Sequence, residues 1–89
     1  MKLVCNNEAM EAEVSKYLSV GMPVENAKRI MEDSGFKCEE SHFDGPPHVI
    51  CSAVLTTQHL SILDNITVRL YHDAGKVTAI KAECHSVGP

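Results

Sequence analysis

The stretch from Gly35 to Cys51, "GFKCEESHFDGPPHVIC", limits what this chain can fold into more than any other. Two runs of extended character flank Asp44-Gly45-Pro46-Pro47, a cluster that interrupts a strand and reads as a turn. Laying the two arms side by side brings Cys38 opposite Cys51. Directly opposed residues of an antiparallel pair lie about 4.5–5.5 Å apart, within disulfide range. The expectation is a Cys38–Cys51 disulfide. Two reduced, half-buried thiols are the alternative, because free cysteine is itself among the most buried residue types. Four cysteines allow three full pairings. The complement of the first pair is Cys5–Cys84, which requires the N-terminus to lie beside the end of the last strand.

Size explains why a staple matters. A chain of 89 residues makes one domain, 1–89, and buries only about 60–65% of the surface it exposes when unfolded. It has no tryptophan, two tyrosines and two phenylalanines, so large aromatic anchors are scarce. Closing a loop of about 14 residues contributes around 3 kcal/mol by the chain-entropy model. That is a sizeable share of what a small domain holds in total.

The N-terminal third carries helical periodicity. Asn6 or Asn7 can cap a first helix over about 7–18, in which Met10, Val14, Tyr17 and Leu18 share a face. Gly21 breaks the chain. Pro23 suits the first turn of a second helix over about 23–34, with Val24, Ala27, Ile30 and Met31 as its stripe. Gly35 then supplies a left-handed cap, and Phe36 folds back onto Met31. Strands follow over about 36–43, 48–57, 62–72 and 77–84. Ile62, Ile66, Val68 and Leu70 alternate with Thr67, Arg69 and Tyr71. With Asp73-Ala74-Gly75 as a three-residue loop and Gly75 left-handed, Leu70 faces Thr78, Val68 faces Ile80 and Ile66 faces Ala82. A slip of one residue would bury Lys81 and Glu83. The order ααββββ is an α+β fold, with an N-terminal helical hairpin packed on one face of a four-stranded antiparallel sheet.

Charge and composition exclude several functions. Net charge is −4 and the 8 basic residues form no run, which argues against nucleic acid as a partner. No run approaches the roughly 18 apolar residues of a membrane span. The start is too short and polar for a signal peptide, so either the protein is cytosolic or a leader precedes residue 1 in the natural gene. Five histidines invite a metal reading, with His48–Cys51 and Cys84–His85 as the nearest pairs. Neither has the spacing of a structural zinc site, and no metal or other cofactor is expected. No nucleophile elbow or glycine-rich phosphate loop is present, so no catalytic residue is assigned and an enzyme is not expected. Glu8, Glu11, Glu13, Glu32, Asp33, Glu39 and Glu40 read as solvated faces. By elimination the sheet face away from the helices is the binding candidate. Alternation places Arg69, Tyr71, Ile50, Val54 and Thr67 there, with Lys37, Glu39 and His48. Arginine and tyrosine are enriched at interface hot spots. The partner is a protein, or a second copy in a homodimer.

The pattern "VGMPVENAKRIMEDSGFKCEE…VIC" resembles the repeat of β-lactamase-inhibitory protein and the small outer-membrane lipoproteins of the SmpA/OmlA (BamE) type. The positions that carry the resemblance are Gly21-Met22, Gly35, Cys38 and Cys51, and the element order agrees over nearly the whole chain. Pro23 stands where those families place a Ser or Thr cap, and the sheet lacks the inhibitor's aromatic-rich binding face, so inhibition of a β-lactamase is not implied. The resemblance implies an exported bacterial domain of the periplasm or envelope that binds or scaffolds without catalysis. The alternative from the residues alone is a small cytosolic regulator or inhibitor with reduced thiols.

Overall fold

The structure, a computed structural model, describes residues 1–42, 45–57 and 62–87. Two helices, α1 (Asn7–Val14) and α2 (Val24–Asp33), precede four strands: β1 (Lys37–Ser41), β2 (His48–Thr57), β3 (Ile62–Asp73) and β4 (Lys76–Val87). The strands form one antiparallel sheet in the order β1-β2-β3-β4. The α+β arrangement expected from the sequence is the one observed. Phe43 at the end of the first expected strand, Asp44 of the expected turn, and the side chain of Ile62 lie outside the described residues.

Local chemistry sets the helix boundaries. The Asn6 side chain accepts from the Ala9 backbone N–H at 2.9 Å and caps α1. The helix ends at Val14, short of the expected residue 18. The Ser15 hydroxyl bonds back to the Glu11 carbonyl at 2.8 Å, and the next turn tightens, with Lys16 N–H on Glu13 O and Tyr17 N–H on Val14 O. The tighter turn changes the angular phase. Leu18 still reaches the core at 2% exposure, whereas Tyr17, expected on the buried stripe, is 48% exposed.

Pro23 occupies the N-cap of α2 rather than its first turn. It offers no side-chain cap, so the first amides are satisfied elsewhere. Val24 N–H donates to the Gly75 carbonyl at 2.9 Å, while Asn26 and Ala27 N–H reach the Pro23 carbonyl. The other end closes as expected. Gly35 has φ +99°, its N–H bonds to Glu32 O, and Phe36 N–H bonds to Met31 O. This is the double bond of a Schellman cap, and it keeps Phe36 in the cap rather than in β1.

Cys38 lies opposite Cys51 in the β1–β2 ladder. In the last hairpin the register differs from the sequence expectation. Asp73 pairs with Lys76, so the loop is the two residues Ala74 and Gly75, at φ 52° and 77°. Positive φ at both central positions is what a type I′ turn needs. On β4 one extra residue, Thr78, sits between Val77, opposite His72, and Ala79, opposite Tyr71. The shorter turn and the bulge together move the pairing by two residues. Leu70 faces Ile80, Val68 faces Ala82 and Ile66 faces Cys84. A two-residue shift preserves which face each side chain occupies, so Ile66, Val68 and Leu70 remain inward with 0% exposure.

The two helices cover one face. α1 lies against β4, and α2 lies against β1, β2 and β4. Met10, Val14, Leu18, Val24, Ala27 and Met31 interlock with Val49, Cys51, Ile66, Val68, Leu70 and Val77 in a single core. The helices thus meet through β4, which both contact, more than along a seam of their own.

The β4 edge of the sheet is partly blocked. Before α2 the chain runs beside the start of β4, with Gly21 N–H on Val77 O at 2.7 Å and Val77 N–H on Met22 O at 2.9 Å. Farther along, the Asn7 side chain accepts from Cys84 N–H at 2.9 Å. These contacts occupy edge groups that would otherwise be open to another strand. On the opposite side β1 pairs only with residues 48–52 of β2.

Candidate functional site

The antiparallel register orders the outer face into rows. Ser41, His48, Tyr71 and Ala79 form the first, followed by Glu39, Ile50, Arg69 and Lys81. Lys37, Ser52, Thr67 and Glu83 form the third, then Val54, Asn65 and His85, and last Thr56 and Leu63. Among the described residues no helix packs over these rows, because α1 and α2 occupy the other side. The five residues assigned to binding from the sequence, Arg69, Tyr71, Ile50, Val54 and Thr67, therefore share one surface.

Their environments differ. Arg69 donates to Glu83 across the β3–β4 ladder at 3.1 Å, with the arginine side chain 31% exposed. Glu83 also lies 3.5 Å from Nε2 of His85. The Arg69 hydrogen bond and its charge hold the Glu83 carboxyl below its ordinary value, with a smaller contribution from His85. Tyr71 is half-buried with its ring tilted against His48, centroids 4.9 Å apart. His48 lies on this face as alternation requires, yet it is only 3% exposed. Tyr71 flanks its ring, and Nδ1 lies 2.9 Å from the Pro46 carbonyl. It is thus an internal part of the face and not a surface contact. Val54 is 58% exposed, and Leu63, which was not singled out from the sequence, is 43% exposed on the same face. Extending the alternation of Thr67, Arg69 and Tyr71 backwards by four residues would have found it.

A hollow of about 290 Å³ runs along the β1–β2 side, lined by Lys37, Glu39, Glu40, Ser41, Ile50 and Ser52. Its one apolar wall is Ile50. This is unlike the mostly apolar clefts that hold small ligands.

The other group of interest is on the helix side, at the far end of the sheet. Both cysteine pairs lie at disulfide distance, with Cα–Cα separations of 5.2 Å for Cys5–Cys84 and 4.0 Å for Cys38–Cys51. Cys38 and Cys51 are buried, at 9% and 0% exposure; Cys5 is exposed and Cys84 half-buried. The donor atoms of Cys5, Cys84 and Asp64 all lie within 4.8 Å of one another. The Ser86 hydroxyl donates to Asp64 Oδ1 at 2.6 Å and lies 3.6 Å from Cys5 Sγ. The His48–Cys51 and Cys84–His85 pairs considered from the sequence do not form such groups, since the two members of each pair point to opposite faces. Asp64 was not singled out from the sequence, although the expected register, with Ile66 opposite Ala82, already sets Asp64 opposite Cys84; in the structure Cys84 lies opposite Ile66 and Asp64 opposite Ser86.

Among the described residues no helix is long and apolar enough to cross a membrane. No protein-family model, curated protein or solved structure matches the chain.

Proposed function

We propose that this chain is a non-catalytic, exported protein-binding or scaffold domain of the bacterial envelope, which docks a protein partner on the outer face of its sheet. The observation that carries this reading is the apolar surface left on that face. Val54 and Leu63, diagonal neighbours on β2 and β3, are 58% and 43% exposed, polar residues flank them, and half-buried Ile50 lies beyond the row of Ser52 and Thr67. Apolar side chains grouped on an uncovered sheet face gain most by being covered by a partner. The rim supplies Lys37, Lys81 and the Arg69–Glu83 pair for orientation. Two cysteine pairs at disulfide distance are compatible with an oxidising compartment. The resemblance of Gly21-Met22, Gly35, Cys38 and Cys51 to the inhibitor and lipoprotein repeats supports the same location.

The test compares wild type with Val54→Asp and with the Arg69→Ala/Tyr71→Ala double variant. A partner captured from envelope extract by crosslinking is identified, purified and titrated against all three. Each change is expected to weaken binding by roughly 1–3 kcal/mol while the melting temperature of Val54→Asp stays near wild type. Equal affinity for all three proteins would remove the outer face from the binding site. A concentration-dependent mass in sedimentation, lost in Val54→Asp, would identify the partner as a second copy.

A further inference from the structure

We propose that Cys5, Asp64 and Cys84 form a site for a thiophilic divalent cation of the zinc class, filled when the bond between the two cysteines is reduced. Three potential ligands converge from three parts of the chain. Cys5 precedes α1, Asp64 lies on β3 and Cys84 on β4, with donor atoms within 4.8 Å of one another. Among the described residues no third group of this kind joins Cys38 and Cys51. Two sulfurs with one carboxylate match the ligand preferences of Zn²⁺, and solvent beside exposed Cys5 can supply a fourth ligand as water.

The surrounding hydrogen bonds orient these donors. Ser86 donates to Asp64 Oδ1 at 2.6 Å and leaves the other carboxylate oxygen for an ion. Asn7 holds the Cys84 backbone N–H at 2.9 Å, fixing the chain next to that sulfur. Such outer bonds set the direction of metal ligands. Tetrahedral bonds of about 2.3 Å to sulfur and 2.0–2.2 Å to oxygen place the two sulfurs about 3.8 Å apart. The sulfurs therefore separate on reduction, and the exposed side chain of Cys5 has room to make that movement.

Electrostatics favours the cation over free thiolates. A carboxylate beside two thiols opposes ionisation of both, and a doubly charged ion among them reverses that preference. The chemistry balances with an external dithiol as reductant. One of its thiolates attacks Cys5 Sγ, the Sγ–Sγ bond breaks, and Cys84 leaves and takes up a proton. The second thiol of the reductant displaces Cys5, which is also protonated, and the reductant departs as a cyclic disulfide with its two electrons transferred. The cation then displaces one proton from each cysteine to solvent. The same residues thus hold the N-terminal segment on β4 covalently when oxidised and through the ion when reduced.

The test uses the full chain. It is treated with a dithiol until two thiols per chain react with an alkylating probe, freed of reductant under anaerobic conditions, and titrated with Co²⁺. Mass mapping is expected to show Cys5 and Cys84 as the alkylated pair. One Co²⁺ per chain should produce a thiolate-to-cobalt absorption band that Zn²⁺ abolishes. The Cys5→Ser/Cys84→Ser variant should give no band. Asp64→Asn, checked in its oxidised form for an unchanged melting temperature, should bind Co²⁺ at least about tenfold more weakly. Absence of a band in reduced wild type overturns the proposal, as does its persistence in the double variant. Equal affinity in Asp64→Asn also overturns it, and that is the result a reduced chain without its fold would give.

Discussion

Replacing Ala74 by Gly separates two geometries of the last hairpin by the sign of its effect. In the structure Ala74 has φ 52° and Gly75 has φ 77°, so both central residues of the turn are left-handed. An L-residue other than Gly, Asn or Asp there is strained by about 1–2 kcal/mol. Glycine removes that strain but costs about 0.5–1 kcal/mol of extra chain entropy. The net for Ala74→Gly is a gain of about 0 to 1.5 kcal/mol. Ala74→Asn tolerates the left-handed region without the glycine entropy cost and completes the Asn-Gly pair that type I′ turns prefer; its gain is about 1 kcal/mol. The opposite change, Gly75→Ala, brings the same strain less the entropy it saves and costs about 0–1.5 kcal/mol. A Cβ at Gly75 would meet nothing within 4 Å, so that cost is conformational and not a clash. Urea unfolding followed by circular dichroism measures all three. With a slope near 1 kcal/mol/M, Ala74→Asn should raise the midpoint by about 1 M, or the melting temperature by about 4–8 °C. Had Ala74 been right-handed within a three-residue loop, glycine there would destabilise by about 0.5–1 kcal/mol. Loss of stability in both Ala74→Gly and Ala74→Asn would therefore refute the two-residue turn, and with it the pairing of Leu70 with Ile80.

The remaining expectations concern the cysteines and the outer face. By loop length alone, opening Cys5–Cys84, with its sequence separation of 79, should cost about 4.5 kcal/mol, and opening Cys38–Cys51, with a separation of 13, about 3 kcal/mol. Paired alanine variants in calorimetry test this. The buried pair should lose about 1–2 kcal/mol more from missing sulfur contacts, so the two variants should lie close together. A loss below about 1 kcal/mol for Cys5→Ala/Cys84→Ala would show that closing the long loop does not limit the unfolded chain. For Glu83, Arg69 holds the folded carboxyl below its ordinary value. Its stabilising contribution is present above the unfolded value and is lost as pH falls through the folded one. Glu83 is 42% exposed, so the effect is about 0.2–1 kcal/mol at low salt. The stability gap between wild type and Glu83→Gln should be full at neutrality and close as pH falls through and below the ordinary glutamate range; parallel curves throughout would remove the ion pair from the stability account.

Legibility from sequence followed how local each determinant was. Cys38 opposite Cys51 could be read because turn residues and the two arms lie within one short stretch. The inward face of Ile66, Val68 and Leu70 could be read because alternation is local. The bulge at Thr78 could not, since nothing in Val77-Thr78-Ala79 marks which residue the partner strand skips. That error was harmless for the faces and also for the cysteine site, because the expected pairing sets Asp64 opposite Cys84 and the observed one makes them diagonal neighbours. Tyr17 was misplaced because a tightened turn after Ser15 changes the helical phase. His48 was put on the right face and given the wrong exposure, since its burial depends on Tyr71, which is remote in the chain, and on the Pro46 carbonyl.

The nesting of the two cysteine pairs changes what a protease can do to this chain. With Cys5–Cys84 closed, every peptide bond between those residues lies inside one covalent ring. A single cut in an exposed connection, such as that around Gly21 or Gly45, leaves the pieces joined. No fragment containing a core strand diffuses away, and the cut ends are held at the high local concentration that favours rejoining the native packing. The inner Cys38–Cys51 ring adds the same safeguard for the β1–β2 turn. After a cut near Gly21 the α1 segment is released only by a second cut or by reduction of Cys5–Cys84, so the redox state of an exposed cysteine at the N-terminal end governs how long that nicked molecule survives.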